Sequence, residues 1–549
     1  MKAKANGSHK TLLPTLLLAG ILFLGAFLRL WQLGNIPHGL SNDEAAYIYS
    51  SYSLWKTGHD VAGEFLPLSI NLNNSFSPVY IYADAPFVGI LGLNPFAGRL
   101  PYALAGILTI LVLYYLTYEL FGKKSIALLS ALLLAISPWH LQLTRGALDA
   151  DFALLFYLAG VLVFIKGVKG RNILWSLPFF LLAFYSYHAT KIFFLFLIPI
   201  LVITYRKELL KRKKELTIFL IGAFAIFLSF IYVSATQSVT RQQVFFWSDS
   251  TQATETVKKE RLYNSAPAFL QKIFSNKGLY YARIVRENYL EAFSPQYLFL
   301  YGEPSGIKRQ YSQLTRGELF IIELPFLLIG FYCAIRYRKG KLPLFLLLIA
   351  PLCSTFAGDD RSYVNRSIMM LPFLLMFVAL GAYYFYQYLL QCSSTVRRIA
   401  LAVIIILYGF LFSSYLYHYY FRYDIESAEA WNRSSRELAE LVGSTHHQYK
   451  NVYFDSTEKM FLFQYGIFNT VDPRLMQKAW KNPYSAQFGN VHFNAHCATA
   501  ENAEKDISAV YEKGSLVIVP NNCFKNSTPS AVIKEKGDLL RTLWKIYEL

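Results

Sequence analysis

Charge is what this sequence has least of. Only 16% of its 549 residues are Asp, Glu, Lys or Arg, against roughly 25% in an average soluble domain. Hydrophobic residues make up 54% and aromatic ones 17%, a balance that excludes an ordinary soluble enzyme. Cysteine is scarce too, five in all, which excludes a disulfide-stapled scaffold. With 44 Phe and 40 Tyr the chain is neither disordered nor collagen-like. A Gly-rich phosphate loop, a Cys-x-x-Cys pair, a His-Glu-x-x-His motif, an internal repeat and a low-complexity tract are all missing, so soluble nucleotide and zinc chemistries have no footing.

Positive charge, by contrast, is in excess: the formal net charge is +18. A single basic patch of that size would suit nucleic acid, but the bases are scattered between apolar runs. They fall at Lys2, Lys4 and Lys10, then Lys123 and Lys124, then Lys166, Lys169 and Arg171. The largest cluster is Arg206, Lys207, Lys211, Arg212, Lys213 and Lys214, followed by Arg336, Arg338, Lys339 and Lys341, and by Arg397 and Arg398. With only Glu208 and Glu215 among them, these clusters carry the whole net charge. Short basic clusters at alternate ends of apolar helices are the positive-inside pattern, so the expected partner is a lipid bilayer and not nucleic acid.

Apolar stretches of near-spanning length lie at about 12–30, 96–118, 125–140, 151–166, 172–188, 190–205, 216–234, 319–335, 342–357, 367–390 and 399–419. They predict a mostly α, polytopic membrane protein with about eleven transmembrane helices, several shorter than the roughly 20 residues of an ideal span. With residues 1–10 cytoplasmic every basic cluster falls inside, and an odd span count puts the C-terminus outside. The first run has a basic leader but no small-residue cleavage site before Arg29 and Trp31, so it reads as a retained anchor in the cell membrane.

Three outside segments are long: 31–95, 235–318 and 421–549. The last alternates helix-like and strand-like stretches: a charged helical run near 425–447, Asn451-Val-Tyr-Phe-Asp455, a helix near 457–467, Val491-His-Phe, and Ser515-Leu-Val-Ile-Val-Pro520. This predicts a small extracytoplasmic α/β domain over 421–549, following a membrane unit over 1–420. Cys497 and Cys523 both lie in that domain, where a disulfide could persist, and their spacing leaves pairing open. Cys333 and Cys392 read as cytoplasm-side thiols.

The ionisable residues near the spans gather at outer ends. Asp43 and Glu44 lie in the first outer segment, Arg99 starts span two, and Arg145, Asp149 and Asp151 stand between spans three and four. His188 and Lys191 cap the hairpin of spans five and six, and Asp359, Asp360, Arg361 and Arg366 lie between spans nine and ten. Carboxylates beside several cations at one membrane face suit a reaction on a lipid phosphate, because guanidinium and ammonium groups bind phosphate while a carboxylate accepts a proton. Each also has a structural reading. Ser41 with Glu44 fits a helix capping box; Arg99 and Arg145 fit interfacial anchors; Asp149 and Asp151 fit caps; His188 fits a structural hydrogen-bonder. Lys191 in its apolar hairpin must snorkel or find an anion, and 358–366 fits a solvated turn.

The stretch Pro37-His-Gly-Leu-Ser-Asn-Asp43-Glu44-Ala, with Leu54-Trp-Lys-Thr-Gly58 and Gly63-Glu-Phe-Leu-Pro67, resembles the first outer loop of GT-C integral-membrane glycosyltransferases. The resemblance is to the branch of dolichyl-phosphate-mannose protein mannosyltransferases and lipid A aminoarabinose transferases. Further similar blocks are Phe96-Ala-Gly-Arg99-Leu-Pro101, Ser137-Pro-Trp-His140 running into Thr144-Arg-Gly-Ala-Leu-Asp149, Tyr185-Ser-Tyr-His-Ala-Thr-Lys191, and Asn365-Arg366 before Leu371-Pro372. Lys191 stands where relatives often carry Arg, and Asp151 where Asn is common.

The resemblance implies a GT-C fold and transfer of a sugar from a polyprenyl-phosphate carrier to a glycan, lipid or protein acceptor outside the cell, usually with inversion. It gives the base role to Asp43 with Glu44 beside it, a second acidic position to Asp149, and donor-phosphate binding to Lys191 and Arg366, with Arg99, Arg145, His188 and Arg361 as further candidates. It requires no cofactor. Some relatives use a divalent cation, which the outside carboxylates could hold, and the residues themselves define no metal site. The rival reading is a transporter or flippase of a lipid-linked or polar substrate, which would place charges at mid-membrane in broken helices; here mid-membrane positions are nearly free of charge.

Overall fold

The computed structural model describes residues 5–549 apart from 73, 237–249, 304–309, 311, 314, 338–339, 357–362 and 496–504. Helix α1 (Ala5–Leu30) carries no charge between Lys10 and Arg29. Helix α2 (Asn42–Thr57) opens the segment expected outside, the hairpin β1 (Ile70–Leu72) and β2 (Asn74–Phe76) follows, and α3 (Pro78–Leu91) closes it. The sequence pattern marks 45–56 as helical, but α3 falls where a loop was expected.

Helix α4 (Pro95–Phe121) shows how the chain sets its spans. Asn94 caps it through Ala97 N–H, Pro95 occupies the first turn, and Gly122 at φ 69° ends it in the left-handed region, where a side chain would be strained. Its 27 residues reach about 40 Å at ~1.5 Å per residue, enough for a hydrocarbon core of ~30 Å. Helices α5 (Lys124–Ile136) and α6 (Pro138–Thr144) meet at a 56° bend, because Pro138 breaks the backbone ladder and Ser137 caps the new helix through His140 N–H. Helix α7 (Ala150–Val168) returns across the bundle.

Among the described residues six helices are long and apolar enough to cross a membrane, or seven if α5 and α6 form one span. All eleven expected segments are helical, but four of them fall on short helices: Ile173–Phe184, Lys191–Thr204 and Lys341–Thr355, and Glu323–Arg336. The count of eleven spans therefore exceeds the helices of full spanning length. Glycines let two inner helices touch: a Cβ on Gly330 would lie 1.9 Å from the Phe377 carbonyl oxygen, and one on Gly381 would lie 1.8 Å from that of Phe326.

Residues 421–549 form a helix (Arg433–Thr445), two more at Phe461–Phe468 and Pro473–Lys481, and a mixed six-stranded sheet. Its strands are β3 (Asn451–Asp455), β4 (Gln487–Phe488), β5 (Val491–Asn494), β6 (Ser515–Pro520), β7 (Ala531–Glu535) and β8 (Asp538–Glu548), in the order β4-β5-β3-β6-β8-β7. Strand β3 pairs in parallel with both β5 and β6. The three apolar runs read from sequence are β3, β5 and β6; β4, β7 and β8 were not anticipated. Cys523 is disulfide-bonded, and Cys497 lies outside the described residues.

The core does not divide at residue 420. Leu40, Tyr47, Ile70, Phe76 and Tyr80 of the first outer segment share one apolar cluster with Phe454, Phe461, Phe493 and Trp544 of the sheet unit. Tyr49 packs on Phe463 at 5.9 Å and donates to the Val471 carbonyl at 2.7 Å, and Gln464 donates to the Leu40 carbonyl at 2.8 Å.

Candidate functional site

Ser41 caps α2. Its hydroxyl accepts from Glu44 N–H at 3.1 Å, and its own N–H donates to Glu44 Oε2 at 3.3 Å, completing the expected capping box. Glu44 does more than cap. Arg99 binds it with two nitrogens, Nε to Oε1 at 2.7 Å and Nη2 to Oε2 at 3.1 Å, and Ala147 N–H donates to Oε1 at 3.0 Å. Both partners are fully buried. Glu44 thus ties the start of α2 to α4 and to the 145–149 turn, with Asp43 half-buried at the first turn of α2 and Asp149 buried at the start of α7. The positive end of α2 favours a carboxylate at Asp43.

Two expected phosphate ligands are structural instead. Arg99 also donates to the carbonyls of Leu33, Pro37 and Gly39 at 3.1, 2.8 and 2.7 Å, which with Glu44 uses all five of its N–H groups. Arg145, 1% exposed, donates to the carbonyls of Leu28, Arg29, Trp31 and Ile36 and to the Tyr419 hydroxyl. It also lies on the rings of Tyr419 and Tyr420. These guanidiniums hold the 31–39 backbone, whose carbonyls would otherwise be buried without donors. Arg99 thus has no N–H left to offer, and Arg145 is engaged through all three of its nitrogens.

The other cations are placed differently. Lys191 starts the Lys191–Thr204 helix, donates to His188 Nδ1 at 2.9 Å and lies over the rings of Phe184 and Phe230. His188 and Lys191 line a small cleft with Ser69, Phe76 and Ser77 of the first outer segment. Arg366 ends the one-turn helix Tyr363–Arg366. That turn is fixed from three sides: Glu303 accepts from Val364 N–H at 3.0 Å, Trp139 donates to the Val364 carbonyl at 2.8 Å, and Asn365 donates to the Tyr187 hydroxyl at 3.4 Å. The last bond joins the Arg366 turn to the residue beside His188. Arg366 itself is partly exposed. Asp359, Asp360 and Arg361 lie outside the described residues.

Sequence reading missed two groups. Asp84 of α3 is fully buried, and the buried Tyr102 hydroxyl stands within electrostatic reach of Asp84, Asp149 and Glu44 with no hydrogen-bond partner among the described residues. The signal was a lone carboxylate inside an apolar helix, Ile81-Tyr-Ala-Asp84-Ala-Pro-Phe. Below it, Arg29 donates to His140 Nδ1 at 2.6 Å and to the carbonyls of Gly25, Leu134 and Ala135, with Asp151 also buried nearby. Farther out, Asp60 accepts from Glu64 N–H at 2.9 Å, and burial pushes its carboxyl above the usual range. Among the described residues no three His, Cys, Asp or Glu side chains group to hold a metal ion.

The family model for dolichyl-phosphate-mannose-protein mannosyltransferases matches residues 75–232, a segment that carries Arg99, Arg145, Asp149, His188 and Lys191. No curated protein matches the chain. Among solved structures, ArnT from Cupriavidus metallidurans bound to undecaprenyl phosphate is 12% identical, with 98% of each chain covered and a TM-score of 0.51. In its apo state the TM-score is 0.52, over 99% of this chain and 98% of that one. The oligosaccharyltransferase AglB from Archaeoglobus fulgidus, in complex with an inhibitory peptide and a dolichol-phosphate, is 13% identical over 84% of this chain, with a TM-score of 0.47. This chain spans 64% of AglB's length. The mannosyltransferase model thus matches the segment that carries most of these residues, and over nearly its whole length the chain shares the fold of ArnT.

Proposed function

We propose that the protein is a glycosyltransferase that moves a sugar from a polyprenyl-phosphate carrier to an acceptor hydroxyl at the outer membrane face. The observation that carries this reading is the convergence at one end of the bundle of a clamped acidic pair of segments, 43–44 and 147–149, with a hairpin and turn bearing His188, Lys191 and Arg366. The ArnT structure bound to undecaprenyl phosphate supports a donor of that class. In this reading residues 1–420 hold the catalytic bundle, 421–549 the outer α/β unit, and the N-terminus is cytoplasmic.

Asp43 takes the proton of the acceptor hydroxyl as its oxygen attacks the anomeric carbon. The bond from that carbon to the carrier phosphate breaks with its electron pair going to the phosphate oxygen, and a single displacement of this kind inverts the anomeric centre. A positioned carboxylate base contributes about 10² to 10⁴ in rate, and Lys191 and Arg366 offset the charge developing on the phosphate. Glu44 acts as a positioning residue, since its oxygens are already engaged, and Asp149 orients the acceptor. A nucleotide-sugar donor has no part in this scheme. In right-side-out membrane vesicles containing a polyprenyl-phosphate sugar, a membrane-impermeant acceptor added outside should be glycosylated. Labelling only in inverted vesicles would reverse the orientation, and labelling in neither would remove the transferase reading.

A further inference from the structure

The sheet of residues 421–549 contains a topological switch. The chain leaves β3 to one side for β5 and comes back on the other side for β6, all three running parallel. Such switch points open a crevice beyond the carboxyl ends of the strands, where α/β sheets bind ligands. A cleft of about 270 Å³ lies there, near the lower end of small-molecule pockets at roughly 300–1,000 Å³. Glu458 enters it just after β3, Glu429, Asn432 and Ser434 wall one side, and Arg541 and Trp544 come from β8.

The lining chooses the ligand class. Two carboxylates disfavour a phosphate or an acidic peptide, and the cleft's one cation, Arg541, is held by Glu535 at 2.8 Å. Glu458 makes no hydrogen bond through its carboxylate and no ion pair among the described residues, while Glu429 accepts from Ser434 at 2.7 Å and Trp544 donates to that same hydroxyl at 3.4 Å. Carboxylates, an amide and hydroxyls beside an aromatic edge match the vicinal hydroxyls and C–H faces of a sugar ring. The cleft also has an address. Asn432, held at φ 50° where Asn is tolerated, donates to the Leu40 carbonyl and to Asn42 Oδ1, each at 3.0 Å. Asn42 immediately precedes Asp43.

We infer that this cleft is the acceptor seat and that it takes one saccharide unit of a glycan, whose neighbouring hydroxyl is thereby brought to Asp43. The inference rests on the transferase reading and narrows its acceptor to a glycan.

The test uses the full chain in lipid nanodiscs and saturation-transfer NMR with methyl α-mannoside, methyl β-glucoside, methyl β-galactoside and methyl N-acetyl-β-glucosaminide as probes. At least one should bind, Asp43→Asn should leave that binding intact, and the pair Glu429→Gln with Glu458→Gln should weaken it roughly tenfold, as loss of charge-assisted hydrogen bonds does. In transfer assays the same pair should raise the acceptor KM by a similar factor at unchanged kcat. Glu458→Gln alone, at an exposed position, keeps the test valid if the double variant does not fold. Absence of binding by every glycoside, or binding and KM indifferent to these glutamates, would overturn the acceptor seat while leaving the transferase reading intact. Glutamate-dependent glycoside binding in a protein that transfers no sugar would support the cleft as a saccharide site and sink the transferase reading instead.

Discussion

Two pairs of cations stand at helix ends near the 31–95 and 363–366 segments, and they are built in different ways. Arg99 and Arg145 are sealed: they are 0% and 1% exposed, and their N–H groups are spent on a carboxylate, a hydroxyl and the carbonyls of residues 28–39. Lys191 and Arg366 stand on a hairpin and a one-turn helix; Lys191 is buried but lines a cleft and meets a histidine and two rings rather than backbone carbonyls, and Arg366 is partly exposed. A basic residue at a helix end is therefore no guide to phosphate binding. What separates the pairs is the density of backbone acceptors around them, which an irregular segment such as 31–40 supplies and a regular helix end does not.

The largest effect should come from unsealing the first pair. Glu44→Gln or Arg99→Leu leaves a buried charge without its partner, and such losses cost about 3–5 kcal/mol. We expect a sharp drop in thermal unfolding temperature and in folded yield, with donor affinity per folded molecule unchanged. Stable variants that had lost donor affinity would move Arg99 to the phosphate side of the comparison.

Next in size is the residue beside the clasp. Asp43→Asn keeps shape and hydrogen-bonding capacity, so turnover should fall by about 10² or more with the unfolding temperature little changed. Near-normal turnover would exclude Asp43 as the base. Lys191→Ala and Arg366→Ala should each weaken binding of a polyprenyl-phosphate sugar about tenfold, Lys191→Arg much less, and neither should cost stability as Arg99→Leu does. Equal loss of stability in all of these variants would erase the distinction between the arginines saturated by the backbone and the other two cations.

The smallest effect tests what burial does to a lone acid. The Asp60 carboxyl is raised by burial, so the folded state disfavours its charge. That penalty is fully present above the raised folded value and fades as pH falls to the ordinary carboxylate range, where folded and unfolded forms are both protonated. Asp60→Asn should therefore raise stability slightly at pH 7, and the gain should vanish in acid. A gain that grows on acidification would contradict the sign.

Much of this was legible in the chain. Periodicity and apolarity located every expected helix, because long apolar runs leave the backbone little choice in lipid, and Ser41 with Glu44 spelled out a cap. The apolar strands β3, β5 and β6 were legible for the same reason, whereas β8 carries Asp538, Arg541, Lys545 and Glu548 and β7 ends in Lys534-Glu535, charges that conceal an outer strand. Span lengths were less legible, since Pro138 and the short helices Ile173–Phe184 and Lys191–Thr204 shorten what hydropathy joins. The surroundings of the candidate site residues were less legible than the residues themselves. Local motifs nominated Asp43, Lys191 and Arg366, but which arginines would be enclosed depended on where the 31–40 backbone folded, and Asp84 became visible only when α3 packed beside Tyr102.

The apolar cluster shared by the first outer segment and the C-terminal sheet has a consequence for biogenesis. Phe76 and Phe454 belong to one core, yet about 380 residues separate them, which at roughly 5–20 residues per second is a delay of about 20 to 75 s during synthesis. Throughout that interval Tyr49 lacks the Phe463 ring and the Val471 carbonyl, and the Leu40 carbonyl lacks Gln464. A nascent chain halted before residue 450 should therefore present uncovered apolar surface on the segment between the first two spans, so that holdases, or the bilayer surface itself, become temporary tenants of the place the sheet finally occupies.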